Sequence, residues 1–173
     1  TSTSVDAGWR ARFADGKVGA WEPLPATPEP RSHHSAVVVG DTLFAIGGLN
    51  GNPAGKNVPL TSIIAATIAR DGSLGAWRHA GALEPALATH ATAAANGVLW
   101  TVGGVEENAR FSRGVWRAES SGGLAASAWT RDTMGLAEPS SHVHQMPVFA
   151  GKLYRVGGGA RRVVHGQVLM APV

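Results

Sequence analysis

The sequence predicts an all-β fold built of repeated antiparallel sheets. Three markers recur in one register. Trp21, Trp77 and Trp129 are spaced by 56 and 52 residues, His34, His90 and His144 by 56 and 54, and the diglycines Gly47-Gly48, Gly103-Gly104 and Gly157-Gly158 by the same 56 and 54. Self-similarity at a fixed period marks a repeat architecture. Composition agrees: 23 Gly and 10 Pro punctuate 173 residues that are 44% hydrophobic and 16% charged. Such a chain is apolar enough to bury a core and too broken for long helices.

Each repeat reads as a succession of strands. Leu43-Phe44-Ala45-Ile46, Leu99-Trp100-Thr101-Val102 and Leu153-Tyr154-Arg155-Val156 align position by position before each diglycine. An aromatic and a β-branched residue share one parity, so Phe44 and Ile46 point to one face and Leu43 and Ala45 to the other. Apolar groups on both faces suit a sheet stacked between two others. An apolar run precedes each of these strands, joined to it by Gly40-Asp41, Asn96-Gly97 or Ala150-Gly151. Asn-Gly between apolar runs signals a tight hairpin, because both central residues need positive φ. A third strand is expected in Thr61 to Ala69, Gly114 to Glu119 and Gly166 to Val173. Asp71-Gly72 then turns the chain into a fourth, Leu74 to Trp77, matching Asp15-Gly16 and Val18 to Trp21; the third copy is degenerate at Ser121 to Leu124.

A hairpin ending in Gly-Gly, a third strand, an Asp-Gly turn, a Trp-bearing fourth strand and a Pro-containing loop leading to His resembles the kelch repeat over nearly the whole chain. The resemblance implies β-propeller blades of four-stranded antiparallel sheets. Arg31 with His34 keeps the inter-blade pattern in the first copy, whereas Leu87 and Ser141 stand where Arg31 would be. One domain, 1–173, is expected, with repeat units of about 15–70, 71–120 and 121–173 and residues 1–14 as a strand of a preceding partial blade. Two full blades between two partial ones do not make a ring. The expectation is therefore completion by other copies, pairing with another protein chain, or a fragment of a longer propeller, since open sheets expose strand edges and apolar faces. The opening Thr1-Ser2-Thr3-Ser4 fits a processed form, a proteolytic piece or part of a longer chain.

The net charge is +3 and the sequence pI about 10.0, but the cations are scattered and Arg161-Arg162 is the one basic doublet. No nucleic-acid partner is expected from such a pattern. No apolar run approaches the roughly 20 residues that a membrane-spanning helix needs. The chain has no Cys, which excludes disulfides and thiolate metal sites and leaves the redox compartment open. A bias toward Ala, Gly and Arg over Lys suggests a GC-rich bacterial source and, by association, an extracytoplasmic protein.

Among candidate residues, the three register histidines read as structural, because a group recurring once per blade serves packing. His33 and His142 fall outside that register. On a strand His142 and His144 would share a side and could ligate a metal, but no third ligand lies nearby and no metal is expected. His79 and His165 read as surface residues. Trp21, Trp77 and Trp129 read as blade-to-blade core rather than as sugar-stacking platforms, and Trp9, Trp100 and Trp116 as packing. Insertions in repeat scaffolds gather on one rim. The longest runs from Leu49 to Asn57, and its counterparts are Val105 to Ser112 and Gly159 to Arg162. The candidate binding residues are Asn50, Asn52, Lys56, Glu106, Glu107, Arg110, Arg161 and Arg162.

No nucleophile with a paired base, no carboxylate pair and no phosphate-cradling loop is recognisable, and Gly157-Gly158-Gly159 ends a strand with no helix after it. The expected function is a non-catalytic interaction or assembly module that binds a protein or glycan through rim loops, without a cofactor. The alternative is part of a sugar-directed kelch-propeller enzyme with catalytic residues on other blades or chains. Copper oxidases of this resemblance use a tyrosine crosslinked to a cysteine, and this chain has only Tyr154 and no Cys.

Overall fold

Tight turns set the hairpins. Asn96 and Gly97 both take positive φ, 51° and 75°, the geometry whose twist matches that of the flanking strands. The computed structural model describes residues 3–51, 57–120, 123–143, 145–160, 163–164, 166 and 168–172. They open with a two-stranded ribbon, β1 (Trp9–Ala14) and β2 (Lys17–Pro23). The first blade contains β3 (Ser35–Val39) and β4 (Thr42–Ile46), a small projecting hairpin of β5 (Leu49–Gly51) and β6 (Asn57–Pro59), then β7 (Ser62–Thr67) and β8 (Arg78–Ala82). Its sheet order is β3-β4-β7-β8. The second blade repeats this with β9 (Ala91–Ala95), β10 (Val98–Val102), β11 (Val115–Glu119) and β12 (Thr130–Arg131). The last sheet has three described strands, β13 (Val148–Phe149), β14 (Lys152–Val156) and β17 (Val168–Pro172), with β15 (Gly159–Ala160) and β16 (Val163–Val164) as its own projecting hairpin.

All sheet pairings within the blades are antiparallel, and their register repeats. Phe44 faces Ala65 and Ile46 faces Ile63; Trp100 faces Arg117 and Val102 faces Val115; Tyr154 faces Met170 and Val156 faces Val168. The inner strands β3, β9 and β13 lie side by side, with a parallel bridge between Thr92 and Gln145. The described sheets form an open run of blades rather than a closed ring. The core sits between the sheets. Phe44, Ile46, Ile63 and Ala65 from one blade meet Leu99 and Trp116 from the next, with Ala94, Leu124 and Trp129 packed around them. A second cluster joins Ala93, Val102, Met146 and Leu153 between the second and last sheets.

Several expectations change at this level. Trp77 and Trp129 stand just before their fourth strands rather than within them, and only Trp21 lies in one. Trp129 packs on the first core cluster, but Trp21 is 67% and Trp9 57% exposed, because no described sheet lies against that face of the ribbon. His142 takes φ 60° in a loop, so strand alternation does not put it on one side with His144, and His144 itself lies outside the described residues, as does His165. The third inter-blade connection holds one extra residue. Bridges Ser32↔Leu49, Ala88↔Val105 and Ser141↔Gly159 align Ser141 with Ser32, so Ser140, not Ser141, occupies the place of Arg31.

Candidate functional site

The insertions between second and third strands share one side with the inter-blade connections, because those bridges tie each connection to the first residue after the diglycine. Along this rim the blades are linked by backbone. Thr89 N–H donates to the His33 carbonyl at 2.8 Å, and His142 N–H donates to the Thr89 carbonyl at 2.8 Å. His33, Thr89 and His142 are all left-handed, with φ of 55°, 52° and 60°. Non-glycine residues held there cost energy and persist only where the surroundings fix them. The tie from blade to blade supplies that constraint.

His33 and His142 are exposed, and each imidazole is held by the serine before it. Nδ1 of His33 lies 3.0 Å from Ser32 Oγ, and Nδ1 of His142 lies 2.7 Å from Ser141 Oγ. Ser141 Oγ–H donates to the Gly159 carbonyl at 3.0 Å, and Ser32 Oγ–H is directed to Leu49 O at 3.4 Å. Ser32 Oγ also lies 3.0 Å from Ser4 Oγ, whose hydroxyl donates to Leu49 O at 2.9 Å, so each serine joins its imidazole to a rim carbonyl, directly or through a second hydroxyl. The pairs fix the orientation of each imidazole.

Close backbone contact explains the diglycines beneath this rim. Gly48 has φ 108°, and a Cβ there would stand 2.6 Å from Ser32 O and 2.9 Å from the His34 Cβ; at Gly104 (φ 99°) it would stand 2.8 Å from both Ala88 O and the His90 Cβ. Two arginines buttress the same region from different places in the sequence. Arg31 Nη1 donates to Gly47 O at 3.0 Å while Nη2 pairs with Glu29 at 3.1 Å and with Ser62 Oγ at 3.0 Å. In the last sheet Arg155 Nη1 donates to the equivalent Gly157 O at 2.8 Å, and Nη2 bonds Ser140 Oγ, the residue that replaced Arg31. Burial lowers the pKa of both guanidinium groups, with the Glu29 charge opposing the shift at Arg31.

The rim residues read from the sequence are placed as follows. Asn50 lies on β5 opposite Val58 and is half-buried. Glu106 is buried and ion-paired with the exposed Arg110, so that pair closes its own loop; Glu106 N–H also donates to Arg110 O at 2.8 Å. Glu107 is exposed at the start of a short 3-10 turn, Glu107–Ala109. Asn52, Lys56, Arg161 and Arg162 lie outside the described residues. The structure thus brings the described candidates to one side without joining them into a cluster. The serine-held histidines were the missed feature, and the signal for them was Ser-His recurring at 32–33 and 141–142.

Hollows adjoin the blades among the described residues. A groove of about 430 Å³ at the inner strands is lined by Ala36, Val38, Ala93, Met146 and Val148 among others. A cleft of about 620 Å³ between the second and last sheets is walled by Trp100, Val102, Leu153, Leu169 and Met170, with Arg155 and Asp132 as its charged residues. Among the described residues no three His, Asp or Glu side chains converge as a metal-ligand set, and no helix is long and apolar enough to cross a membrane.

A family model described as Kelch motif matches residues 30–65. Human Kelch-like protein 34 is 40% identical over 91 residues, which is 52% of this chain and 13% of that protein. The solved structure described as "Structure of YjhT" superposes with a TM-score of 0.73 at 16% identity, over 97% of this chain and 60% of that one, a likeness of fold. The chain therefore spans less than two thirds of either relative. With its three-marker register, its four-stranded blades and these likenesses, the chain carries a Kelch motif over residues 30–65, is similar to kelch-repeat proteins, and has the fold of blades of a kelch-like β-propeller.

Proposed function

We propose that this chain is a non-catalytic kelch module that binds a polar protein segment on the rim carrying His33, Thr89 and His142. The observation that carries this reading is the pair of exposed imidazoles, each fixed by a serine at Nδ1 and linked through Thr89 across three blades. Preorganised polar groups on a rigid frame lower the ordering cost of binding. Loops on such a frame are where recognition concentrates. A protein ligand is favoured over a glycan because Trp100, Trp116 and Trp129 are engaged between sheets and are not offered at the rim as stacking surfaces.

The test is selection of a displayed peptide library on the immobilised chain, followed by titration of the enriched peptides. Replacing His33→Ala and His142→Ala together should weaken those peptides by about tenfold or more, the loss of one or two hydrogen bonds, and leave the melting curve in place. Peptides that bind the double variant as well as the parent chain would refute the assignment of the rim.

A further inference from the structure

An asparagine followed by glycine can react with its own backbone, because the glycine nitrogen attacks the asparagine Cγ and brings no Cβ to hinder the approach. Asn50 and Asn96 precede glycine. Asn52 precedes Pro53, which has no N–H to react, and Asn57 and Asn108 precede Val58 and Ala109, whose side chains crowd the nitrogen.

The fold treats the two Asn-Gly pairs differently. Asn50 is half-buried on β5, paired across the hairpin with Val58, and Gly51 is buried. Gly51 N–H donates to Ser4 Oγ at 2.8 Å, and the Gly51 carbonyl accepts from Ser4 N–H at 3.0 Å. The nitrogen that would attack is held by a hydroxyl, and the residue is fixed on both sides. Asn96 and Gly97 are exposed and form the turn between β9 and β10, with φ of 51° and 75°. The Gly97 carbonyl accepts from Ser120 N–H at 2.7 Å, whereas no hydrogen bond from Gly97 N–H is found among the described residues. Ala95 with Val98 is the closing pair of the ladder, so rotation about Asn96 toward the Gly97 nitrogen requires no strand residue to leave its partner.

We propose that Asn96 is a self-modification site that converts to isoaspartate while the chain stays folded, and that the fold protects Asn50. Gly97 N loses its proton to solvent base and forms the N–Cγ bond as ammonia leaves, giving a five-membered succinimide. Water opens that ring at either carbonyl, yielding aspartate or isoaspartate, and nothing is oxidised or reduced. In isoaspartate the main chain runs through Cβ and Cγ, and the former backbone carbonyl becomes an exposed α-carboxylate. That group is the substrate class of an isoaspartyl methyltransferase, in which the carboxylate oxygen displaces the methyl group of S-adenosylmethionine. The turn lies at the end of its sheet away from the rim, because β9 leaves the rim after His90 and β10 returns to it at Gly103. Modification there and peptide binding at His33 and His142 are therefore read separately.

The chain is incubated in mildly alkaline buffer, folded and in urea, and followed by peptide mapping. The readouts are the amide-to-acid mass gain and methyl transfer to each peptide by an isoaspartyl methyltransferase. In urea Asn50 and Asn96 should convert at matching rates, since the dipeptide is the same. In the folded chain Asn96 should convert faster than Asn50 by about tenfold or more, the rate factor of first opening one or two hydrogen bonds. Ser4→Ala removes the acceptor of Gly51 N–H and should speed conversion at Asn50. Asn96→Gly keeps a dipeptide suited to positive φ and should leave no methyl acceptor in that turn. Ala150→Asn builds the same dipeptide in the exposed turn before β14, where φ is 49° and 67°, and should add a second reactive site. Equal conversion at Asn50 and Asn96 in the folded chain overturns the proposal. So does an Asn96 that keeps its amide when folded while the chain in urea converts, and so does a Ser4→Ala variant in which Asn50 stays as slow as in the parent.

Discussion

Replacing Gly48 by alanine tests whether the diglycine is needed for close approach or only for its backbone angle. Gly48 and Gly151 both have positive φ, 108° and 67°, but a Cβ at Gly151 meets nothing within 4 Å. Gly151→Ala should therefore show the conformational penalty alone, about 1–2 kcal/mol. Gly48→Ala carries a similar penalty and adds a Cβ 2.6 Å from Ser32 O and 2.9 Å from the His34 Cβ, neither of which is the free end of a flexible side chain. Overpacking of that kind costs about 1–3 kcal/mol. Relieving it pushes apart Ser32 and Leu49, which exchange two backbone hydrogen bonds of 2.9 and 2.7 Å, at about 0.5–1.5 kcal/mol for each bond weakened. The expected loss at Gly48 is about 3–8 kcal/mol, a large part of the roughly 5–15 kcal/mol that holds a domain together. Urea unfolding of the two variants and the parent measures it, and an unchanged m-value keeps them comparable. Equal losses for the two variants, within about 0.5 kcal/mol, would mean that the inter-blade contact plays no part.

Three further outcomes follow from local chemistry. Arg31→Met should destabilise by about 3–5 kcal/mol in the same urea assay, since Glu29, Gly47 O and Ser62 Oγ lose a common buried donor. Ala150, with φ 49°, stands where Asn96 stands in the second blade, so Ala150→Asn should stabilise by about 1 kcal/mol and raise Tm by roughly 2–4 °C in a calorimetric scan. The Asp71 carboxylate accepts from the Ser73 hydroxyl and N–H and lies near the Arg10 charge, which lowers its pKa. A depressed acid stabilises the fold above its unfolded value, about 3.9, and that contribution disappears as pH falls through the folded value. Carbonyl NMR should show Asp71 titrating below the ordinary aspartate range, and Asp71→Asn should flatten the dependence of stability on pH in that acid window.

Local signals were legible where local physics governs. Asn96-Gly97 gave its hairpin because few other dipeptides hold two positive φ angles, and the parity of Phe44 and Ile46 gave two faces because strand side chains alternate. The rim loops were legible as a group, since insertions at one repeat position emerge on one side. Their individual roles were not: Glu106 looks like an available carboxylate in the sequence and is buried under its pairing with Arg110. His33 and His142 stood out as residues off the register and are held by the serines that precede them, but the backbone link through Thr89 joins blades that lie far apart along the chain.

The sequence by itself determined the repeat, the strand order within each blade and the hairpin turns, because each depends on residues within one repeat of one another. Only the tertiary structure decided what the repeated positions do. Gly157 O is met by Arg155 from within a strand, as Gly47 O is met by Arg31 from a loop, a substitution that no spacing rule relates. The same tryptophan pattern is buried at Trp116 and bare at Trp9 and Trp21. The physical reason is that burial belongs to a face and its neighbour together: a repeat encodes the face, and the sheet stacked against it settles whether that face is core or surface.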